Sequence, residues 1–157
     1  MCCALALAGK WDGAESDIIV ERELTVDVQE AFAVLTDVEA LQQIFPEDCL
    51  EDWALGAPTT GIGANARVTY HMAGMKRRLT LTISKAEEHY VIELDHPEKK
   101  GFTTQFALSE PGPGRAFVKL GTYLNAPPWP FKGYYYDKVL PAWTDCYSRT
   151  LDALEAR

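Results

Sequence analysis

The groups in this chain best suited to do chemistry are phenols and indoles. Tyr134, Tyr135, Tyr136, Trp143 and Tyr147 crowd into one stretch near the C-terminus, and Tyr70 stands well upstream of them. A tyrosine hydroxyl held in an apolar pocket polarises a carbonyl or fixes a ligand's orientation, and a buried phenol or indole demands a hydrogen-bond partner. Arg77 adds a cation able to hold an enolate, a carrier phosphate or another anionic group. The rest of the inventory is poorer. His71, His89 and His96 have no metal spacing; His71 shares the outward parity of Arg67 and Thr69, while His89 and His96 flank a strand and are expected to be exposed. Cys146, His71 and Asp145 can be written down as a triad, but their parities diverge and a triad must converge in space. Glu93 and Asp95 share an outward parity, and no carboxylate pair reads as buried. No catalytic nucleophile, metal site or cofactor motif is expected.

The element that must position the aromatic groups is the chain's end. Tyr136, Leu140, Trp143, Tyr147, Leu151 and Leu154 recur at spacings of three or four, which places them on one face of a helix predicted over 131–157. Pro141 interrupts that run and predicts a bend. Such a helix has to cover an apolar surface, and the preceding chain supplies one as short alternating segments. Ile18 to Val26 reads as the first strand. Asp27, with Glu30 three residues on, caps a short helix through Ala31, Phe32, Val34 and Leu35, and a second helix runs from Val38 to Phe45 before Pro46 stops it. Strands follow around Val68 and Tyr70, Leu79 to Ile83, Tyr90 to Leu94, Phe102 to Leu108, and Phe117 to Asn125, whose inward face is ambiguous. Pro127, Pro128, Trp129 and Pro130 make a stiff connector into the terminal helix. Short connections predict antiparallel pairing.

Gly61, Gly63 and Ala66 match a dinucleotide fingerprint in letters, but a strand follows them where a helix is required. The acids between Glu47 and Asp52 read as a solvated strand edge, since a calcium loop needs alternating oxygen ligands around a glycine.

Composition sets the class. At 157 residues, 47% hydrophobic and 24% charged, the chain reads as one soluble domain over 17–157 behind an N-terminal extension, 1–16. A net charge of -8 disfavours a grip on nucleic-acid phosphates. The apolar start MCCALALAG has no basic residue before it and is too short to span a bilayer, so neither a signal peptide nor a stable membrane anchor is expected, and acylation of Cys2 or Cys3 is not expected either. With no CxxC pair among four cysteines, a reducing, cytoplasmic setting is expected.

The stretch TVDVQEAFAVLTDVEALQQIFPE, from Thr25 to Glu47, resembles the helix-grip fold of the START and Bet v 1 group, and within it the polyketide cyclase/dehydrase-like, or SRPBCC, family. The Gly61 to Gly63 turn and the strand FTTQFALSE carry the same likeness. The resemblance implies an α+β helix-grip domain, a curved antiparallel sheet of about seven strands wrapped around a long C-terminal helix, with two short helices after the first strand. It also implies a deep pocket between sheet and helix. The inward positions expected there are Tyr70, Leu81, Ile92, Phe106, Tyr136, Leu140, Trp143 and Tyr147, with Arg77 at the rim. Three functions fit this expectation. The first is a binding or carrier protein for a hydrophobic or aromatic small molecule, lipid, polyketide or quinone-like. The second is a cyclase or aromatase using tyrosine and arginine in the same pocket, and the third a protein-contacting module that presents the acidic run.

Overall fold

The computed structural model describes residues 18–87, 90–99, 102–123 and 132–157. The N-terminal extension, Cys2, Cys3, His89 and the proline connector therefore lie outside the described residues. Seven strands form one antiparallel sheet: β1 Ile18–Leu24, β2 Leu50–Leu55, β3 Asn65–Met72, β4 Met75–Glu87, β5 Val91–Asp95, β6 Thr103–Ser109 and β7 Ala116–Tyr123. Their spatial order is β1-β7-β6-β5-β4-β3-β2, so the first strand closes against the last and the rest is a meander. β2 is an edge, as the acidic run predicts.

Alternation explains which face is covered. Val68 and Tyr70 on β3, Leu79, Leu81 and Ile83 on β4, Ile92 and Leu94 on β5, and Phe106 and Leu108 on β6 are all buried. The ambiguity of the last strand resolves toward Ala116, Val118, Leu120 and Thr122, which are buried, while Phe117 is half-buried and Tyr123 exposed. Register shifts between Glu51 and Ala54 and between Ile83 and Lys85 are bulges that help the sheet curve.

Two short helices follow β1: α1 Val28–Leu35 and α2 Val38–Ile44. Asp27 caps the first by accepting from the Gln29 N–H at 2.8 Å, and Asp37 caps the second through Glu39 N–H at 2.9 Å. The N–H that Asp27 accepts from is that of Gln29, the second residue of the helix, rather than that of Glu30.

The C-terminal helical run has three parts, α3 Lys132–Tyr134, a π-helical turn Tyr135–Val139, and α4 Leu140–Glu155. The expected bend at Pro141 takes the form of that wide turn, with the proline admitted at the start of α4, where a missing N–H does least harm. α4 buries Trp143, Cys146, Tyr147, Thr150, Leu151 and Leu154. Polar contacts hold its far end: Arg22 donates to Ser148 O at 3.1 Å and Ser148 Oγ at 2.7 Å, and Thr25 Oγ1 donates to Glu155 at 2.7 Å.

Cys49, in the turn before β2, forms a disulfide with Cys146 on α4, their Cα atoms 6.2 Å apart. Free thiols were expected. The pairing removes the ground on which a reducing compartment was inferred, because spacing along the chain says nothing of cysteines that meet 97 residues apart. No helix among the described residues is long and apolar enough to cross a membrane.

Leu151 is fully buried, whereas the Arg22 side chain is 30% exposed. Urea unfolding should show Leu151→Ala losing about 2–5 kcal/mol and Arg22→Ala less than about 1 kcal/mol.

Candidate functional site

Beneath α4 the sheet does not present a purely apolar face. Tyr70 on β3 reaches His96, and its hydroxyl lies 2.6 Å from Nε2. The other ring nitrogen, Nδ1, lies 2.8 Å from the carbonyl oxygen of Phe102. A carbonyl only accepts, so Nδ1 carries the proton, and Nε2 is left to accept from the phenol. The imidazole's tautomer is thus set by the backbone of its own turn.

That turn is held from several sides. Glu98 accepts from Thr80 N–H at 2.9 Å and from Thr80 Oγ1 at 2.7 Å, and Thr103 Oγ1 donates to Asp95 at 3.0 Å. Lys99 lies 5.5 Å from the centre of the Phe102 ring, half-buried, and partial loss of solvent followed by the charge of Arg77 lowers its pKa. His96 was expected to be exposed and is 4% exposed. The signal was present: His96 continues the parity of Ile92 and Leu94, so the strand's inward face runs one step past its last hydrogen bond.

A second polar group sits beside the first. The hydroxyls of Thr104 and Thr122 are 2.9 Å apart, Thr104 and Tyr147 are 3.3 Å apart, and Tyr147 also contacts Thr122 closely. Burial raises the Tyr147 pKa to about 12 and that of Tyr70 well above its ordinary value. Burial likewise lowers His96 from 6.5 to about 4. Every group here is neutral near pH 7.

Trp143 packs between these clusters, its ring 5.9 Å from Tyr70, 6.1 Å from Phe102 and 5.4 Å from Tyr147. Its indole Nε1 is buried without a hydrogen-bond partner among the described residues. Phe45, Leu50, Leu81 and Leu94 supply apolar walls, and together with Tyr70, His96, Thr104, Trp143 and Tyr147 they bound a cavity of about 10 Å³. Such a space holds about one water. The deep pocket that the resemblance implies is, between these residues, largely filled by rings.

The expected site residues divide into four. Tyr70, Leu81, Trp143 and Tyr147 line the cavity. Ile92 and Phe106 are fully buried in the core without lining it. Leu140 is half-buried against the core, and Tyr136, expected inward, is 48% exposed. The π turn explains that correction: it inserts one residue into the helical register, so Tyr135 and Val139 face in where Tyr136 and Leu140 were expected. Arg77 stands opposite Tyr70 in the register but is exposed, beyond the covered part of the sheet. His96, Phe102, Thr104 and Thr122 were missed.

The triad written from Cys146, His71 and Asp145 does not exist. Cys146 is in the disulfide, and His71 Nε2 lies 2.8 Å from Glu51, which also accepts from Lys76 at 2.8 Å. Gly61 and Gly63, both with positive φ, turn the chain into β3 rather than into a helix, so no nucleotide fingerprint forms. On the outer edge Gln42, Glu47, Leu50, Glu51, Asp52 and Trp53 line an open groove of about 420 Å³. Among the described residues no cluster of histidine, cysteine or carboxylate side chains could hold a metal ion.

No family model and no curated protein matches the chain. Solved structures do. The KanY protein shares 13% identity over 88% of this chain and 93% of its own, with a TM-score of 0.73. A Thermus thermophilus protein shares 19% over 88% and 94%, with a TM-score of 0.67, and ginseng major latex-like protein 151 from Panax ginseng shares 12% over 88% and 94%, with a TM-score of 0.63. At these identities the likeness is one of fold.

The depressed pKa of His96 sets a pH dependence. Above about pH 6.5 the imidazole is neutral folded or unfolded; below it the unfolded chain takes up a proton that the folded chain refuses until about 4. Stability should therefore fall as pH drops from 6.5 toward 4, by up to about 3 kcal/mol from this group. Thermal melts of wild type and His96→Gln across that range should differ in slope, the variant's being the flatter.

Proposed function

We propose that this chain, whose fold is the Bet v 1-like helix-grip, binds and carries an apolar or aromatic small molecule between the concave face of its sheet and its C-terminal helix. One observation carries the reading: a few satisfied polar groups sit inside apolar walls under the helix, which is how small-molecule sites are composed. A core built only for stability gains little from sealing two hydroxyl clusters and an imidazole away from water.

A cavity of about 10 Å³ admits no organic ligand without movement. Trp143 is the ring best placed to move. It touches Tyr70, Phe102 and Tyr147 through ring contacts and gives up no hydrogen bond on leaving. The π turn lies just before it in the chain, where the regular hydrogen-bond ladder is already broken. Apolar burial, at about 25 cal/mol per Å², would supply affinity, less the cost of displacing the ring.

A second reading, cyclase or aromatase chemistry, is favoured by the Tyr70–His96 pair. A phenol bonded to a tautomer-locked imidazole can turn its O–H to polarise a ligand carbonyl by a hydrogen bond, which frees Nε2 to accept a proton from the ligand and later return it. Arg77 takes no part in that cluster.

Titration with the uncharged fluorophore N-phenyl-1-naphthylamine should show saturable uptake at one site. Leu94→Trp, which fills the cavity, should weaken it by at least about tenfold. Absence of saturable uptake by the unmutated protein sinks the carrier reading. For the enzyme reading, Tyr70→Phe should abolish turnover of a polyketone while leaving its binding within about threefold. Unchanged turnover removes that reading.

A further inference from the structure

Among the described residues that bound the cavity, one side-chain donor lacks an acceptor. Tyr70 gives its hydrogen to His96 Nε2, and His96 Nδ1 gives its own to the Phe102 carbonyl. Thr104, Thr122 and Tyr147 stand in mutual contact, so each hydroxyl can donate to the next around a closed ring of three. The Trp143 N–H has no acceptor among the described residues, although the residue is 2% exposed. A buried donor left unsatisfied is costly, and a partner that supplies an acceptor recovers the loss. No side chain lining the cavity is charged near neutral pH.

We infer that the ligand is an uncharged ring compound carrying a carbonyl-type oxygen, a ketone, quinone or lactone, and that this oxygen accepts the Trp143 N–H. The inference rests on the carrier reading and narrows it. Hydrocarbons leave the indole unpaired. Carboxylates bring an unpaired charge into a space with no cation to meet it, which burial penalises more heavily than a missing hydrogen bond.

Three probes of nearly equal shape separate these cases: 2-acetylnaphthalene, 2-isopropylnaphthalene and 2-naphthoate. Calorimetric titration at pH 7 should give the ketone at least about tenfold tighter binding than the carboxylate. Trp143→Phe keeps an aromatic ring and removes the N–H; it should weaken the ketone by about tenfold and the hydrocarbon by less than about twofold. In the unmutated protein, the indole N–H resonance of Trp143 should move downfield with the ketone and not with the hydrocarbon, a readout that does not depend on the variant folding. Equal losses for ketone and hydrocarbon, an unmoved indole resonance, or carboxylate binding as tight as ketone binding would overturn the inference while leaving the carrier reading intact. If none of the three binds while N-phenyl-1-naphthylamine does, the inference falls and the carrier reading stands.

Discussion

A helix laid across the hollow face of an antiparallel sheet removes water from whatever lies beneath it, and every polar group caught there must find a partner within the protein. In this chain the groups caught are Tyr70, His96, Thr104, Thr122, Trp143 and Tyr147. Their mutual bonds fix the geometry of the interior. The Phe102 carbonyl sets the tautomer of His96, His96 orients the Tyr70 hydroxyl, and Tyr147 ties α4 to β6 and β7. Low dielectric strengthens these bonds and makes the remaining unpaired indole conspicuous.

The same sealing accounts for the electrostatics. Burial pushes both tyrosines up and the histidine down, so all three are neutral near pH 7, and among the described residues the side chains around the cavity carry no charge to steer an ion. The charges are kept outside. Glu51 meets Lys76 and His71, and Asp48 meets Arg149 in a two-pronged contact at 2.8 and 3.0 Å. These exposed pairs contribute little stability each, but the last lies beside the Cys49–Cys146 disulfide and joins the turn before β2 to α4 at two adjacent points. The helix is therefore anchored at both flanks of the polar cluster, by Arg22 and Glu155 toward β1 and by Cys146 and Arg149 toward β2.

Toward the N-terminal end of the helical run the Tyr134 hydroxyl donates to the carbonyl oxygen of Ala73. There the π turn replaces regular backbone bonds, and Tyr134 and Tyr136 stand exposed while Tyr135 turns in. The π turn thus sets which of these rings the sheet covers.

The sequence by itself determined the elements and, for most strands, the covered face: two-residue alternation fixes sides locally, Asp27 and Asp37 cap where aspartate caps, and Pro46 stops α2. From Trp143 onward the helical period also names the buried face correctly. What tertiary structure decided lies where local rules leave a choice. One residue gained in the π turn exchanged Tyr136 for Tyr135, a change that packing rather than periodicity selects. His96 went inward because its turn could offer it a carbonyl and β3 a phenol. Cys49 found Cys146 because the helix crosses the sheet at that point, and the volume left among the rings was set by how closely Trp143 packs against its neighbours. Period and parity are properties of a few consecutive residues; partner, register and cavity belong to segments that meet only when the chain has folded.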